Sequence, residues 1–235
     1  MIPSYEPPAL PPLQEPVHVF ADRAAAGRAL AAAVHHLDLP PPVLVLGLAR
    51  GGVPVAREIA RVLHAPLDVL IVRKVGMLGY PELAMGAIAP CGVEVREPGM
   101  ERAGLERQFA EVAGRERAEM ARRERTYRGG RLPLDLRGAT VVLADDGLAT
   151  GSTMIAAVRA ARRLGAKYVV VAAPVASTEA AARAAEEADA TAILQVPADL
   201  LAIGAWYRDF EQVEDVQVQA LLASARSAQI GTSSD

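Results

Sequence analysis

Cysteine is almost missing from this chain: Cys91 stands alone among 235 residues. One thiol excludes an internal disulfide and a cysteine-built metal site. Aromatic side chains make up only 4%, too few for a platform that stacks nucleic-acid bases. The four histidines, His18, His35, His36 and His64, are scattered, which argues against a zinc site. Positive charge is not in excess either, since the net charge is −3, and nothing draws the chain to nucleic acid by bulk charge. No apolar run has membrane-spanning length and no signal-peptide pattern opens the sequence. A cytoplasmic protein with no nucleic-acid or membrane partner is the expectation.

What the chain does have is apolar bulk. Hydrophobic residues make up 51%, enough to build one large α/β domain or two small ones. Residues 1–16 carry six prolines, Pro3, Pro7, Pro8, Pro11, Pro12 and Pro16, and cannot form a regular helix or an inner strand. An extended arm is expected there, against the body or against a second subunit, so a homo-oligomer is an open expectation. Asp22 reads as the N-cap of a helix through Leu37, buried along Leu30, Val34 and Leu37. Pro40, Pro41 and Pro42 end it.

Val43 to Leu48 is a short, continuous apolar run, as in a strand covered on both faces, and 67–72, 168–173 and 192–196 read as further strands. Helical patterns alternate with them. The predicted fold is a twisted, mainly parallel sheet with helices on both faces. Such sheets bind ligands beyond the carboxyl ends of their strands, at the topological switch point.

The densest chemistry lies in Val141 to Met154, V-V-L-A-D-D-G-L-A-T-G-S-T-M. An apolar strand ends in two carboxylates, Asp145 and Asp146. A glycine-bearing hydroxyl loop follows, and a helix starts near Ser152. A loop that opens a helix presents free N–H groups and the positive end of the helix dipole, which suits a phosphate. Gly151 permits positive φ and close approach. The paired acids would repel a phosphate but suit a ribose diol or a metal. Phosphate at one end and diol at the other describe a ribose 5-phosphate. A Walker loop needs Lys where Ser152 stands, and the G-x-G-x-x-G dinucleotide fingerprint is absent. A plain strand–turn–helix with an Asp cap explains one acid, not two.

A second strand–loop–helix follows Val43 to Leu48: Ala49-Arg50-Gly51-Gly52, with Pro54 in the first helical turn. Two glycines expose backbone N–H groups, and Arg50 offers a planar cationic fork suited to phosphate. The alternative is a tight turn with a surface arginine. Arg73 and Lys74 follow the next strand, either as two solvated charges or as further phosphate ligands. Gly76 to Glu82 reads as a loop, followed by a hairpin of strands 83–88 and 92–95. Glu101 to about Arg125 has helical spacing through Leu105, Phe109, Val112 and Met120, with i,i+4 pairs Glu111/Arg115 and Glu119/Arg123. Beyond the last core strand, Trp206 and Tyr207 either stack a planar base or pack a satellite cluster around the last helix. Ser224 to Asp235 reads as frayed.

The Val141 to Met154 stretch resembles the 5-phosphoribosyl 1-pyrophosphate (PRPP) motif of type I phosphoribosyltransferases: strand, two acids, two mostly apolar residues, a small residue, Thr-Gly and hydroxyls. The resemblance spans about residues 20–215. It implies a phosphoribosyltransferase-like domain over 17–222, with hood elements near 76–131 and 198–222 and a flexible tail from 223. It implies transfer of the phosphoribosyl group of PRPP to an acceptor, a nitrogenous base by preference, with release of pyrophosphate. Asp145 and Asp146 would hold the ribose hydroxyls, and Ala149, Thr150, Gly151, Ser152 and Thr153 the 5-phosphate. Arg50, Gly51 and Gly52, with Arg73 or Lys74, would take the pyrophosphate. Trp206 and Tyr207 would face the acceptor. Mg²⁺ would ride on PRPP oxygens and water, with no direct protein ligand. A mobile hood at 101–131 would bring Arg122, Arg123, Arg125, Tyr127 and Arg128 over the pyrophosphate. Family members that use 6-oxopurines carry a third acid where Ala149 stands, so the chain is more similar to the adenine and orotate branches. A catalytically silent PRPP or nucleotide sensor is the second possibility.

Overall fold

The computed structural model describes residues 19–100 and 102–232. The proline-rich arm and residues 233–235 lie outside them. Helix α1 (Arg23–His35) opens the described chain, and the Asp22 side chain accepts from the Ala25 N–H at 2.6 Å as its N-cap. Strand β1 (Val43–Leu48), helix α2 (Gly52–Leu63) and strand β2 (Leu67–Leu70) follow. A separate layer comes next: β3 (Arg73–Met77), β4 (Tyr80–Ala89), β5 (Val93–Arg96) and the long helix α3 (Ala103–Arg128). The chain then returns to the core through β6 (Thr140–Ala144), α4 (Ser152–Arg163), β7 (Tyr168–Val175), α5 (Thr178–Glu187) and β8 (Ala190–Gln195). A 3₁₀ turn, Ile203–Trp206, and helix α6 (Asp215–Thr232) close it.

Five strands form one parallel sheet in the order β2-β1-β6-β7-β8. Their side chains alternate between two apolar layers. Leu46, Leu48, Val141 and Leu143 face a cluster with α4 residues such as Met154 and Val158. Val45, Val142 and Ala144 face the opposite cluster, with Leu30 of α1, Ile59 of α2 and Leu222 of α6. Both faces are covered, so β1, β6 and β7 are largely apolar rather than alternating. From β1 the chain crosses to β2 on one side. From β6 it crosses to β7 on the other. The switch point therefore lies between β1 and β6, which pair in register from Val43/Thr140 to Gly47/Ala144.

The second layer departs from the sequence expectation. The strand expected to reach Val72 ends at Leu70, and residues 73–77 form a new strand. Of the loop expected at 76–82, only Leu78 and Gly79 form a turn, with Gly79 at φ +83°, and the rest belongs to β3 and β4. β3, β4 and β5 make a three-stranded antiparallel sheet. Helix α3 lies on it through Phe109 and Ala113 against Val75, Met85 and Ile88. α3 continues past Arg125 to Arg128, where Gly129 caps it in the left-handed region at φ +57°. Helix α6 likewise runs on to Thr232, so the segment read as frayed from Ser224 is helical to that residue. Among the described residues, no helix is long and apolar enough to cross a membrane.

Candidate active site

The loops after β1 and β6 meet across the switch point. A β-carbon on Gly51 would overlap the Asp146 carboxylate, and one on Gly52 would overlap the Ala144 carbonyl. Only glycine allows the two loops to lie this close. The Ala49–Arg50 peptide bond in the first loop is cis.

Asp145 and Asp146 sit at the carboxyl end of β6. The Asp146 N–H donates to Asp145 Oδ1 at 2.9 Å. Arg23 Nε, from the first turn of α1, donates to Asp146 Oδ2 at 2.7 Å. Arg23 is itself fixed by a bond to the Glu211 carbonyl at 2.7 Å and by its place over the Phe210 ring, 3.8 Å from the centroid. Burial, followed by the adjacent Asp146 charge, pushes the Asp145 carboxyl well above the usual carboxylate range. Burial also raises Asp146, and Arg23 opposes that rise.

The second half of the motif builds a cradle. Gly147 and Ala149 to Thr153 line a cavity of about 520 Å³ with Lys74, Leu83, Gly86, Glu97, Met100 and Glu179. That volume falls in the range of small-molecule sites. Gly151 has φ +82° and leads directly into α4. Ser152 is an exception among the expected phosphate ligands. Its side chain is buried, with 2% of the residue exposed, and its hydroxyl donates to Glu97 Oε1 at 2.6 Å. Only its backbone remains for a ligand in the cavity, because the Glu97 carboxylate from the end of the antiparallel layer takes the hydroxyl.

The expected pyrophosphate ligands are not all brought together. Gly51 and Gly52 stand at the crevice. The Arg50 side chain turns toward the start of α6, 3.5 Å from Asp215 Oδ1 and 3.8 Å from Glu214. Arg73 Nε binds Glu116 on α3 at 2.6 Å. Lys74 lines the cavity beside the phosphate loop. Arginines in the last turns of α3, and Arg131 just beyond it, pair with acids. Arg128 and Arg131 bind the buried Asp68 of β2, and Arg122 binds Glu119 and Asp215. Tyr127 is buried and donates to Asp215 Oδ1 at 2.6 Å. Burial, with that bond, pushes its phenol up to about 12.

Trp206 and Tyr207 do not present open faces to an acceptor. They are 9% and 6% exposed and pack with Phe20, Ala26, Val175 and Phe210. Tyr207 stacks on Phe210 at 4.9 Å, and its hydroxyl donates to the Asp146 carbonyl at 2.6 Å. A satellite cluster accounts for both rings, but it gathers around Phe20 and Phe210 rather than the last helix, and Tyr207 is tied to the site through the Asp146 backbone.

Sequence reasoning missed Arg23, Glu97, Arg183 and Asp215. Arg23 is 123 residues from Asp146, Glu97 is 55 from Ser152, and Arg183 is 31 from it. No local pattern marks such partners. The one available hint was Arg23 directly after the Asp22 cap.

A phosphoribosyl transferase domain family model matches residues 20–202. Two Mycobacterium tuberculosis proteins, "Putative phosphoribosyl transferase MT0597" (strain CDC 1551 / Oshkosh) and "Putative phosphoribosyl transferase Rv0571c" (strain ATCC 25618 / H37Rv), are each 45% identical over 210 residues, covering 88% of this chain. The match covers 47% of each, so the chain spans about half the length of these relatives. The crystal structure of TT1426 from Thermus thermophilus is 45% identical, with a TM-score of 0.73 over 88% of this chain and 98% of that one.

Proposed function

Because the chain belongs to the phosphoribosyl transferase family, we propose that it transfers the 5-phosphoribosyl group of PRPP to a nitrogenous base and releases pyrophosphate. The observation that carries this reading is the contact of Gly51 with Asp146. It brings the glycine loop against the pair of acids at the switch point, and the loop that follows those acids is read as the phosphate cradle. One molecule with pyrophosphate, ribose and 5-phosphate in that order fits the sequence of groups.

In the proposed step an acceptor nitrogen attacks C1 of the ribose. The bond from C1 to the pyrophosphate oxygen breaks, its electron pair leaves with pyrophosphate, and any proton on the attacking nitrogen is released to water. Charge builds on the ring as an oxocarbenium-like cation, so positioning and electrostatics supply the rate. Asp145 and Asp146 hold the ribose hydroxyls and favour the cation. Backbone N–H groups of Ala149 to Thr153, with the Thr150 and Thr153 hydroxyls, hold the 5-phosphate. Gly51 and Gly52 offer N–H groups to the pyrophosphate, and Arg50 joins them by leaving Asp215. Among the described residues no three His, Cys, Asp or Glu side chains gather as a metal cage. A Mg²⁺ ion would be carried on PRPP oxygens and water rather than by protein ligands. When bound, that ion neutralises charge on the leaving pyrophosphate. We place the activity in the cytoplasm.

One observation favours a second reading, a PRPP or nucleotide sensor without turnover. Arg50, the cation of the first loop, is held by Asp215 and Glu214. Incubation with PRPP, Mg²⁺ and a panel of bases, with pyrophosphate release as the readout, separates the two. Release with one base supports the transferase. PRPP binding with no release from any base supports the sensor.

A further inference from the structure

The phosphate loop is held from outside the crevice, and the hold has a direction. The Leu148 carbonyl accepts from the Ser177 N–H at 2.9 Å. The Ala149 carbonyl accepts from Ser177 Oγ at 2.6 Å, and the Thr150 carbonyl from Arg183 Nη1 at 2.5 Å. Three successive carbonyls are thus drawn toward α5, by its N-cap Ser177 and by Arg183 further along it. In a trans peptide the C=O and the next N–H point opposite ways. The N–H groups of Ala149, Thr150 and Gly151 must therefore point away from Ser177 and Arg183. These are residues that line the cavity. Successive N–H groups aimed one way make an anion nest. The Gly151 carbonyl accepts from Ile155 as α4 begins, which adds the helix N-terminus to the nest.

Arg183 is the one member of this clasp that a charge holds in place. Its Nη1 also binds Glu97 Oε2 at 3.1 Å, and its Nη2 lies 3.2 Å from Ser152 Oγ. Glu97 is buried and accepts the Ser152 hydroxyl through its other oxygen. Glu97 belongs to the segment after β5, so the antiparallel layer reaches into the clasp. The guanidinium spans Glu97, Ser152 and the Thr150 carbonyl with its fixed fork, a geometry that lysine cannot reproduce.

We propose that Arg183, fixed by Glu97, is a positioning residue that turns the N–H groups of the 149–151 loop toward a phosphomonoester. This rests on the transferase reading, since it deepens the assignment of the 5-phosphate end of that site. Neither side chain is assigned contact with the reacting atoms.

The test is calorimetric titration of the full chain with ribose 5-phosphate and, separately, with pyrophosphate. Variants Arg183→Gln, Arg183→Lys and Glu97→Gln are compared with the unaltered protein. Arg183→Gln is expected to weaken ribose 5-phosphate binding about tenfold or more and to leave pyrophosphate within about twofold. Arg183→Lys should recover part of that loss. Glu97→Gln should lose about threefold to tenfold for ribose 5-phosphate alone. If Arg183→Gln does not fold, the same split in Arg183→Lys and Glu97→Gln decides. Unchanged ribose 5-phosphate binding in the variants, or equal losses of both ligands, overturns the positioning role and leaves the transferase reading standing. Failure of the unaltered protein to bind ribose 5-phosphate overturns both.

Discussion

Arg23 Nε donates to Asp146 Oδ2 at 2.7 Å, and this pairing ties the first helix of the described chain to the acid pair at the end of β6. Both side chains are largely buried, at 12% and 16% exposure. Removing one partner leaves a desolvated charge, which costs far more than the net worth of the pair. Arg23→Gln is therefore expected to lower unfolding stability by about 3 kcal/mol in urea. Burial already raises Asp146 and Arg23 opposes that rise. The variant should shift the acid limb of the pH–rate profile toward higher pH. An unmoved limb would separate Arg23 from the chemistry.

Asp145 makes the opposite prediction for stability. Its carboxyl titrates higher in the folded chain than in the unfolded one, because of burial and the Asp146 charge. The folded state therefore binds that proton more tightly. The associated stability is fully present below the unfolded pKa and is lost as pH rises through the folded value. Asp145→Asn removes the titrating carboxyl and keeps the oxygen that accepts from the Asp146 N–H. The melting temperature should rise by about 2–4 °C at pH 7, the shift that 1 kcal/mol gives in a chain of this size. The gain should shrink at pH 4, and turnover should be lost. Thermal scans across pH check the sign.

Gly51→Ala tests the closeness of the two loops. The added methyl would overlap the Asp146 carboxylate, and overpacking of this kind costs about 1–3 kcal/mol. Stability should fall by that amount, and affinity for pyrophosphate and ribose 5-phosphate should fall together. A neutral Gly51→Ala would mean that the crevice is wider than the structure gives.

Arg50→Ala removes the one cation of the first loop. Pyrophosphate binding should weaken about tenfold, and ribose 5-phosphate binding should change little. Equal losses would count against a site divided into two anion-binding ends.

Tyr207→Phe deletes one hydrogen bond to the Asp146 carbonyl and keeps the ring against Phe210. The expected cost is about 1 kcal/mol, with no change in which base is accepted. A changed base preference would return Tyr207 to the acceptor site.

The parallel core was legible in the chain because a strand covered on both faces is apolar at most of its positions. Val43–Leu48 and Thr140–Ala144 show this directly, and their terminal loops carried the glycines and acids that mark the crevice. Strand β3 was not legible. Arg73-Lys74-Val75-Gly76-Met77 has few apolar positions, and its strand state comes from pairing with β4. The roles of Trp206 and Tyr207 were open because burial is decided by what packs on them, here Phe20 and Phe210. Ser152 reads as a phosphate ligand in any linear pattern, and only the arrival of Glu97 turns its hydroxyl inward. Arg50 reads as a free fork until α6 brings Asp215 beside it.

The most direct measurement is calorimetric titration of PRPP with Mg²⁺ into the unaltered chain and into Asp145→Asn/Asp146→Asn. The account predicts binding with a dissociation constant on the order of micromolar for the first, and its loss in the second with the fold retained. No binding to the unaltered chain, or equal binding to both, would contradict the assignment of the crevice between β1 and β6 as a PRPP site.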